Sequence, residues 1–384
     1  MPLTDAPAAP LHSASEPRAA GVLPSQTIRA LIAEGALRPA ENAEAITTAQ
    51  VQPASLDLRL GPKAYRVRAS FLAGAQNTVA KRLRDFEMHE IDLADGAVLE
   101  TGCVYVVPLQ ERVRLPADVS AVANAKSSTG RLDVFTRLIT DHGVEFDRIE
   151  PGYEGPLYAE ISPRTFSVLA RAGDRLNQIR FRKGAPEFSP EEMARLQEDQ
   201  LLVPGAAALG PGLSFSVDLQ PANGEPVGFK ARRHSGLIDL SKLGHYDPAE
   251  FWDPVHAGRG GSVILDPGAF YILVSRESVH VPPDCAAEMT PYLAVVGEFR
   301  VHYAGFFDPG FGHEATGGAG ARGVLEVRCH EAPFALEHGQ VVGQLVYEPM
   351  LETPDMLYGV DIGSNYQAQG LRLSKHFRQP QPGA

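Results

Sequence analysis

Residues 99–105 have the sequence Leu-Glu-Thr-Gly-Cys-Val-Tyr, and residues 265–271 have the sequence Leu-Asp-Pro-Gly-Ala-Phe-Tyr. The Leu, Gly and Tyr of the second stretch each follow those of the first by 166 residues, since 265 − 99 = 166. Glu160 and Glu326 have the same separation. Solenoid repeats have periods of ~20–50 residues, so a period this long predicts a duplicated domain rather than a repeat array.

Both copies consist of short segments in which apolar and polar residues alternate. Residues 56–60 read Leu-Asp-Leu-Arg-Leu, and Leu213, Phe215, Val217 and Leu219 are likewise separated by polar residues. Alternation of this kind is typical of half-buried strands. The 37 Gly and 31 Pro residues suit many turns between strands. The sequence therefore predicts a mainly β fold in both halves, with a few short helices.

Two of these helices are expected from their capping signals. Ser25 is the expected N-cap of the first, which carries apolar residues on one face and ends at Gly35. Ser189 opens the run Ser-Pro-Glu-Glu before the apolar Met193, which predicts a capping box with Pro at the first helical position.

The copies and the segments between them predict how the chain is organised. Residues 1–21 are rich in Ala, Pro and Ser, and we expect them to form a disordered tail. The expected units that follow are a first domain (22–186), a helical linker (187–212), a second domain that is a degenerate copy (213–350), and a C-terminal tail (351–384).

Composition narrows the class of protein. The 384 residues include 35 Lys plus Arg and 47 Asp plus Glu, a net charge of −12, which argues against general affinity for nucleic acid. No apolar run approaches the ~20 residues that cross a bilayer, and the N-terminus lacks a signal-peptide pattern. Three widely spaced cysteines exclude a disulfide framework and a Cys-based zinc cluster. We expect a soluble cytoplasmic protein with no membrane partner.

The segment Lys126-Ser127-Ser128-Thr-Gly-Arg131 is the first candidate for chemistry. Two hydroxyls, a Lys and an Arg around a Gly can hold phosphate through N–H, O–H and cationic groups. On spacing alone, a capped helix start with a solvated Arg is the simpler interpretation.

Carboxylates near two Pro-Gly turns are the second candidate. Glu150 lies beside the first turn and Glu160 on the strand that follows it, and Asp308 and Glu326 hold the matching places in the second half. Such a carboxylate is either a surface side chain or a group whose pKa is tuned for proton transfer. A Glu at the same place in both copies favours the second interpretation, although common descent alone could account for it.

The C-terminal segment is the third candidate. Tyr358, Asn365 and Gln369 lie in a Gly-punctuated polar stretch that suits a lid over a polar ligand, or an ordinary frayed end. Because little apolar burial is expected there, the sequence predicts a mobile tail whose removal after Gly363 leaves the melting behaviour nearly unchanged.

Taken in order, these segments resemble the dCTP deaminase family, trimeric relatives of dUTPase. The resemblance begins near residue 21 and covers most of the chain. It includes Pro53-Ala-Ser-Leu-Asp-Leu-Arg-Leu-Gly61, the Lys-Ser-Ser-x-x-Arg segment, the Arg-Ile-acid-Pro-Gly-aromatic hairpin, the Gly-x-x-x-x-Gln strand and the Tyr-Gln-x-Gln tail. It implies two tandem dUTPase-like domains, each a distorted β-barrel or jelly roll, as in a longer bacterial form of the family.

The resemblance also implies a role for each matching residue. The family's general base, which activates water for attack on cytosine C4, matches Glu160, while Ser127 and Arg131 match residues that orient the water and the carbonyl. The remaining matches are to nucleotide contacts, at Lys126, Ser128, Glu150, Tyr158, Ala159, Tyr358, Asn365 and Gln369.

This sequence departs from the family pattern in both halves. The family commonly has Arg at Lys126, Asp at Glu150 and Lys at Asn365. The second half keeps Asp308 and Glu326 but has Thr290-Pro-Tyr-Leu-Ala-Val295 where the Ser-Ser-x-x-Arg segment belongs. At this point it stays open whether Glu160 or Glu326 faces the Lys126–Arg131 segment, and whether a site forms within one chain or between chains.

The implied activity is hydrolytic deamination of dCTP to dUTP and ammonia, which supplies dUTP for thymidylate synthesis. Zinc deaminases use a His/Cys/Cys set with a Pro-Cys-x-x-Cys signature; the sequence lacks it, so we expect no zinc, and Mg²⁺ only with the triphosphate. Implied partners are dCTP and dUTP, dTTP as an inhibitor, and further copies of the chain, with a trimer favoured. The alternatives are a dUTPase, a bifunctional enzyme that forms dUMP, or an inactive nucleotide-binding regulator.

Overall fold

The structure of the protein is a computed structural model. It describes residues 18–204, 208–209, 212–221, 224–291, 299–301, 305–329, 331–359 and 370–379.

The first half is a series of short strands with three short helices. In chain order these are β1 (Gly21–Val22), α1 (Ser25–Ala33), β2 (Leu37–Pro39), β3 (Leu56–Leu58), β4 (Lys63–Val67), α2 (Val79–Phe86), β5 (Glu87–Asp92), β6 (Ala97–Leu99), β7 (Val104–Arg114), β8 (Val119–Ala125), α3 (Ser127–Gly130), β9 (Val134–Thr140), β10 (Arg148–Ile149), β11 (Glu154–Pro163), β12 (Val168–Ala170) and β13 (Asn177–Lys183).

The second half follows the same plan after one longer helix. Its elements are α4 (Pro190–Gln200), β14 (Ala208–Leu209), β15 (Gly212–Ser216), β16 (Gly228–Ala231), β17 (Ile238–Asp239), α5 (Pro248–Phe251), β18 (Trp252–Val255), β19 (Ser262–Leu265), β20 (Phe270–Val279), β21 (Cys285–Pro291), β22 (Phe299–Val301), β23 (Phe306–Phe307), β24 (Ala321–Cys329), β25 (Phe334–Glu337) and β26 (Val341–Pro349).

The strand pairing repeats between the halves. Antiparallel pairing joins β7 to β11 and β8 to β13 in the first half, and β20 to β24 and β21 to β26 in the second. The small pair β6–β12 likewise recurs as β19–β25. The prediction of a mainly β, duplicated fold is confirmed.

Both helix predictions are confirmed as helices, but their caps differ. Ser189 forms the expected capping box: its hydroxyl accepts from the Glu192 N–H at 3.2 Å, and Glu192 accepts from the Ser189 N–H at 2.8 Å. The cap expected at Ser25 is wrong, because Pro24 holds that position and the Ser25 hydroxyl instead donates to Asp355 at 2.6 Å.

The molecule has two large apolar cores. Met193 of α4 is buried in the core of the second half and Leu196 packs against it, so the helix predicted as a linker is part of that packing unit. The other core is not confined to the first half. It also takes in Ile238, Trp252 and Phe377 from the later sequence, and β17 extends the β6–β12 pair as a parallel neighbour.

The C-terminal segment is where the structure contradicts the expectation of a mobile tail without core residues. Phe377 is fully buried, with ring centroids 5.4 Å from Phe251, 5.8 Å from Trp252 and 6.5 Å from Phe166. Leu373 belongs to the same core. Residues 371–378 therefore anchor the end of the chain, and truncation after Gly363 would remove core packing. Asn365 and Gln369 lie outside the described residues.

We expect Phe377→Ala to destabilise the protein by about 3–5 kcal/mol, because removing a buried aromatic ring loses its transfer free energy and leaves a cavity. Chemical denaturation measures this change. Ile264→Ala is the matched control, since that side chain is 66% exposed and its loss should change stability by less than about 1 kcal/mol. Equal stability of the Phe377 variant and the unaltered protein would show that the tail does not anchor the fold.

Candidate active site

A cavity of about 470 Å³ lies where the two halves and the C-terminal segment meet. This volume falls within the ~300–1,000 Å³ usual for pockets that bind small molecules. Its walls come from α3 and the loop before β13, from β23 and β24, and from residues 375–376. The cavity is therefore assembled from three separate parts of the sequence.

The Lys126–Arg131 segment forms one wall. Strand β8 ends at Ala125, and a single helical turn follows, in which the Thr129 N–H donates to the Lys126 carbonyl at 2.8 Å. The expected helix start is present, but Ser128 and Arg131 are buried, so the expectation of a solvated Arg is wrong. The turn presents its polar side chains to the cavity.

Glu326 of β24 lies opposite this segment. Its Oε1 is 3.7 Å from Arg131 Nε, and both side chains are almost completely buried. Burial raises the pKa of Glu326 to about 7, and the charge of Arg131 acts in the opposite direction. A carboxyl group with a pKa near neutrality can both accept and return a proton at physiological pH.

Glu160 occupies the corresponding position on β11 but has different neighbours. Arg137 lies beside it, with Nη2 at 2.5 Å and Nε at 3.2 Å from its Oε1. Of the two glutamates, Glu326 lines the cavity and Glu160 does not. The question left open by the sequence is thus answered for the described chain: Glu326 faces the Lys126–Arg131 segment.

The other first-half residues expected near the nucleotide also lie away from this cavity. Tyr158 and Ala159 are buried on β11 beside Glu160. The Glu150 carboxylate is largely exposed and pairs with Arg148 Nε at 2.8 Å. These residues lie away from the cavity because the second copy, not the first, supplies the wall that carries the carboxylates of Asp308 and Glu326.

Asp308, the turn carboxylate of the second half, does line the cavity. Its Oδ1 accepts a hydrogen bond from Arg180 Nη2 of β13 at 3.1 Å. Burial raises the pKa of Asp308, and Arg180 opposes that rise. The two halves are thus joined by a second buried ion pair at the same cavity.

Cationic side chains cluster around Asp57 at one end of the cavity. Lys126 Nζ donates to Asp57 Oδ1, and Arg175 Nη1 lies 3.6 Å from Oδ2. Lys375 lines the same region, and its pKa is lowered by burial and by repulsion from Lys126. The three cations outnumber the two carboxylates at this end of the cavity, Asp57 and Asp174, and such an excess of positive charge suits a phosphate group.

The C-terminal segment contacts α3 and Arg131. The Ser374 hydroxyl donates to the Ser128 carbonyl at 2.8 Å, and Arg131 Nη1 donates to the Arg372 carbonyl at 3.1 Å. Burial lowers the pKa of His376 to about 4, so this side chain is neutral at physiological pH. The segment fixes α3 and the Arg131 guanidinium in place.

The remaining wall is aromatic. Phe307 packs edge-on against Phe311 with centroids 5.2 Å apart, and Phe311 lies 5.4 Å from Tyr358. Tyr358, which the sequence singled out, therefore lines the cavity as expected of a ligand contact. Sequence reasoning gave no role to Asp57, Arg175, Arg180, Lys375 or His376. The one available signal was an acid at position 57 inside an otherwise apolar strand.

The fold and this site define a class of protein: a duplicated β protein with a buried Arg–Glu ion pair at the junction of its copies. The family model described as the 2′-deoxycytidine 5′-triphosphate deaminase (DCD) N-terminal domain matches residues 19–185, and the model for the C-terminal domain matches residues 189–377. The chain belongs to the dCTP deaminase family.

Similar proteins agree with this assignment. A crystal structure of 2′-deoxycytidine 5′-triphosphate deaminase from Agrobacterium tumefaciens is 55% identical, with a TM-score of 0.81, over 87% of this chain and 100% of that one. A dCTP deaminase from Halorubrum lacusprofundi is 31% identical over 135 residues, which span 34% of this chain and 63% of the relative. A "dCTP deaminase, dUMP-forming" from Pseudarthrobacter chlorophenolicus is 30% identical over 39% of this chain and 80% of the relative.

Among the described residues, no three His, Cys, Asp or Glu side chains are grouped so that they could hold a metal ion. In the same part of the chain, no helix has the length and apolar character needed to cross a bilayer.

The pKa of Glu326 leads to a testable stability difference. A carboxyl whose pKa is about 7 when folded and ~4.3 when unfolded favours the folded state below the lower value, and this stabilisation is lost as the pH rises through 7. The Gln side chain of the Glu326→Gln variant cannot ionise. The free energy of unfolding of this variant, relative to that of the unaltered protein, should therefore increase from pH 5 to pH 8 by on the order of 2–3 kcal/mol. Denaturant melts at both pH values measure it, with pH 5 as the internal control. An advantage that does not change with pH would contradict the raised pKa.

Proposed function

We propose that this protein deaminates dCTP hydrolytically to dUTP and ammonia, in the cavity shared by its two halves. The observation that carries the proposal is the buried Glu326, 3.7 Å from Arg131 and opposite the serine-containing turn. Membership of the family supports the substrate.

In the proposed reaction Glu326 acts as the proton carrier. As a carboxylate it takes a proton from water while the hydroxide forms a bond to C4 of cytosine. The electron pair of the C4=N3 bond moves to N3, which takes this proton from Glu326. Glu326 then accepts the proton of the new C4 hydroxyl and passes it to the amino group, which leaves as ammonia when the C4–N bond breaks and the C4 carbonyl forms. General acid–base catalysis of this kind contributes about 10²–10⁴-fold.

Ser127 and Arg131 support this transfer from the first half. The Ser127 hydroxyl is proposed to orient the attacking water, and the Arg131 guanidinium the cytosine carbonyl. A fixed cation in a buried site stabilises negative charge that develops in the transition state, because water does not screen it. The hydrogen bond from Arg131 to the Arg372 carbonyl supports a preset orientation. This is the proposed Glu/Ser/Arg site, which operates without a resident metal.

The phosphates are proposed to lie at the cationic end, near Lys126, Ser128 and Lys375. A chain of net charge −12 repels a nucleotide at long range, so local cations and a Mg²⁺ ion that enters with the triphosphate supply the neutralising charge. Asp308 and Tyr358 are proposed to contact the nucleoside. Asn365 and Gln369 stay candidate contacts, since they lie outside the described residues.

A second candidate is a bifunctional enzyme that releases dUMP. The Pseudarthrobacter relative carries that description in its name, and it matches at nearly the same identity as the Halorubrum dCTP deaminase. We also infer that the product serves thymidylate synthesis in the cytoplasm, that dTTP inhibits the enzyme, and that the chain forms a homo-oligomer, with a trimer favoured. The family resemblance supports these inferences.

Replacing each of the two matched glutamates in turn by Gln tests which copy supplies the general base. Glu326→Gln should lower kcat for dCTP by about 10²–10⁴-fold, because the amide cannot carry the proton. Glu160→Gln is the matched control at the same position of the other copy, and it should retain most of the activity. Steady-state ammonia release measures both. Inactivation by Glu160→Gln with an active Glu326 variant would reject the proposed site.

One further experiment measures the metal dependence of dCTP turnover and identifies its products. After dialysis against a chelator, addition of Mg²⁺ alone should restore full dCTP turnover, because the proposed site has no resident zinc. Ammonia and pyrophosphate are quantified separately in the same samples. Ammonia without pyrophosphate indicates release of dUTP, and equal amounts indicate formation of dUMP. A specific need for zinc would contradict the proposal.

A further inference from the structure

Arg180 is a buried cation that the proposed chemistry does not use. It lies on β13 with no exposed side-chain surface, and it belongs to the first half. Burial of a charged side chain is costly unless partners compensate it. Its partners all belong to the segment of the second half that carries Asp308 and to the strands beside that segment.

The contacts of Arg180 enclose the segment that ends at Asp308. Nη2 donates to the Phe307 carbonyl at 3.3 Å and to Asp308 Oδ1 at 3.1 Å, while Nη1 donates to the Ala287 carbonyl at 2.9 Å. The guanidinium also lies 4.1 Å from the ring centroid of Phe306. One side chain therefore fixes both the backbone and the carboxylate of this cavity wall.

The Arg180–Asp308 ion pair has no counterpart in which the two copies exchange roles. The residue of the second half that matches Arg180 is Val346, since 346 − 180 = 166, so that copy has no equivalent cation. In the first half the turn acid is Glu150, which is exposed and paired with Arg148. Thus the cation occurs only in the first copy and its buried carboxylate partner only in the second.

We propose that Arg180 is a positioning residue that keeps Asp308 charged and aimed into the cavity as an acceptor for the nucleotide. This rests on the proposed function, in which Asp308 contacts the nucleoside. The other charged groups that act on Asp308 are Lys126, which also favours the carboxylate, and Asp57, which opposes it. Without Arg180, Asp308 would take up a proton or turn away, and the nucleotide would lose a charged acceptor.

The test compares Arg180→Met, Arg180→Lys, Asp308→Asn and the Arg180→Met/Asp308→Asn double variant. The control is Arg182→Met, because Arg182 lies on the same strand and pairs across the same junction with Glu288 at 3.0 Å and Glu348 at 2.6 Å, whereas Arg180 approaches Glu348 only to 3.9 Å. Neither of those partners lines the cavity. Melting curves establish folding, kcat and KM for dCTP are measured at steady state, and calorimetry measures dCTP binding.

We expect Arg180→Met to raise KM at least tenfold with a smaller effect on kcat, and Arg182→Met to change both by less than threefold. The double variant should bind dCTP within threefold of Asp308→Asn alone, because the two residues act as a unit. Arg180→Lys keeps the charge and should recover part of the lost affinity.

Four outcomes overturn the inference. These outcomes are an unchanged KM in a folded Arg180→Met variant, multiplied losses in the double variant, an equal loss in Arg182→Met, or failure of both Arg180 variants to fold. If the unaltered protein binds dCTP but releases no ammonia, only the proposed function is rejected. In that case dCTP binding by the variants still tests the role of Arg180. Absence of both binding and turnover in the unaltered protein overturns both.

Discussion

The contact on which the candidate site depends is the buried approach of Arg131 to Glu326 across the junction of the two copies. Arg131 comes from the first half and Glu326 from the second, and the two side chains are 3.7 Å apart. Removing two charges from water is costly, so such a pair persists only where the surrounding structure holds both groups. The duplicated fold provides that support, because each copy brings one partner on a rigid element.

The rest of the junction can be understood as support for this contact. The Arg180–Asp308 pair joins β13 to the segment around β23, and the Ser374 hydroxyl holds α3 through the Ser128 carbonyl. Phe377 anchors that C-terminal segment in the core. Cavity walls from three parts of the chain thus depend on one another, and this dependence explains why groups with strongly shifted pKa values can be held in a buried site.

Much of the architecture could be predicted from the sequence, because a period of 166 residues and alternating apolar positions are local patterns. The choice between Glu160 and Glu326 could not, since both obey the same pattern and only the packing of one copy on the other separates them. The burial of the C-terminal segment could not be predicted for a related reason. Phe377 lies in a polar stretch, and its burial depends on Trp252 and Phe251 far away in the sequence.

The most direct test of the central claim is a crystal structure of the Glu326→Gln protein with dCTP and Mg²⁺. The account predicts that the cytosine ring lies between the Ser127–Arg131 turn and position 326 of the same chain, with Asp308 at the nucleoside. A nucleotide bound beside Glu160, or held by only one of the two copies, would contradict a site built from both.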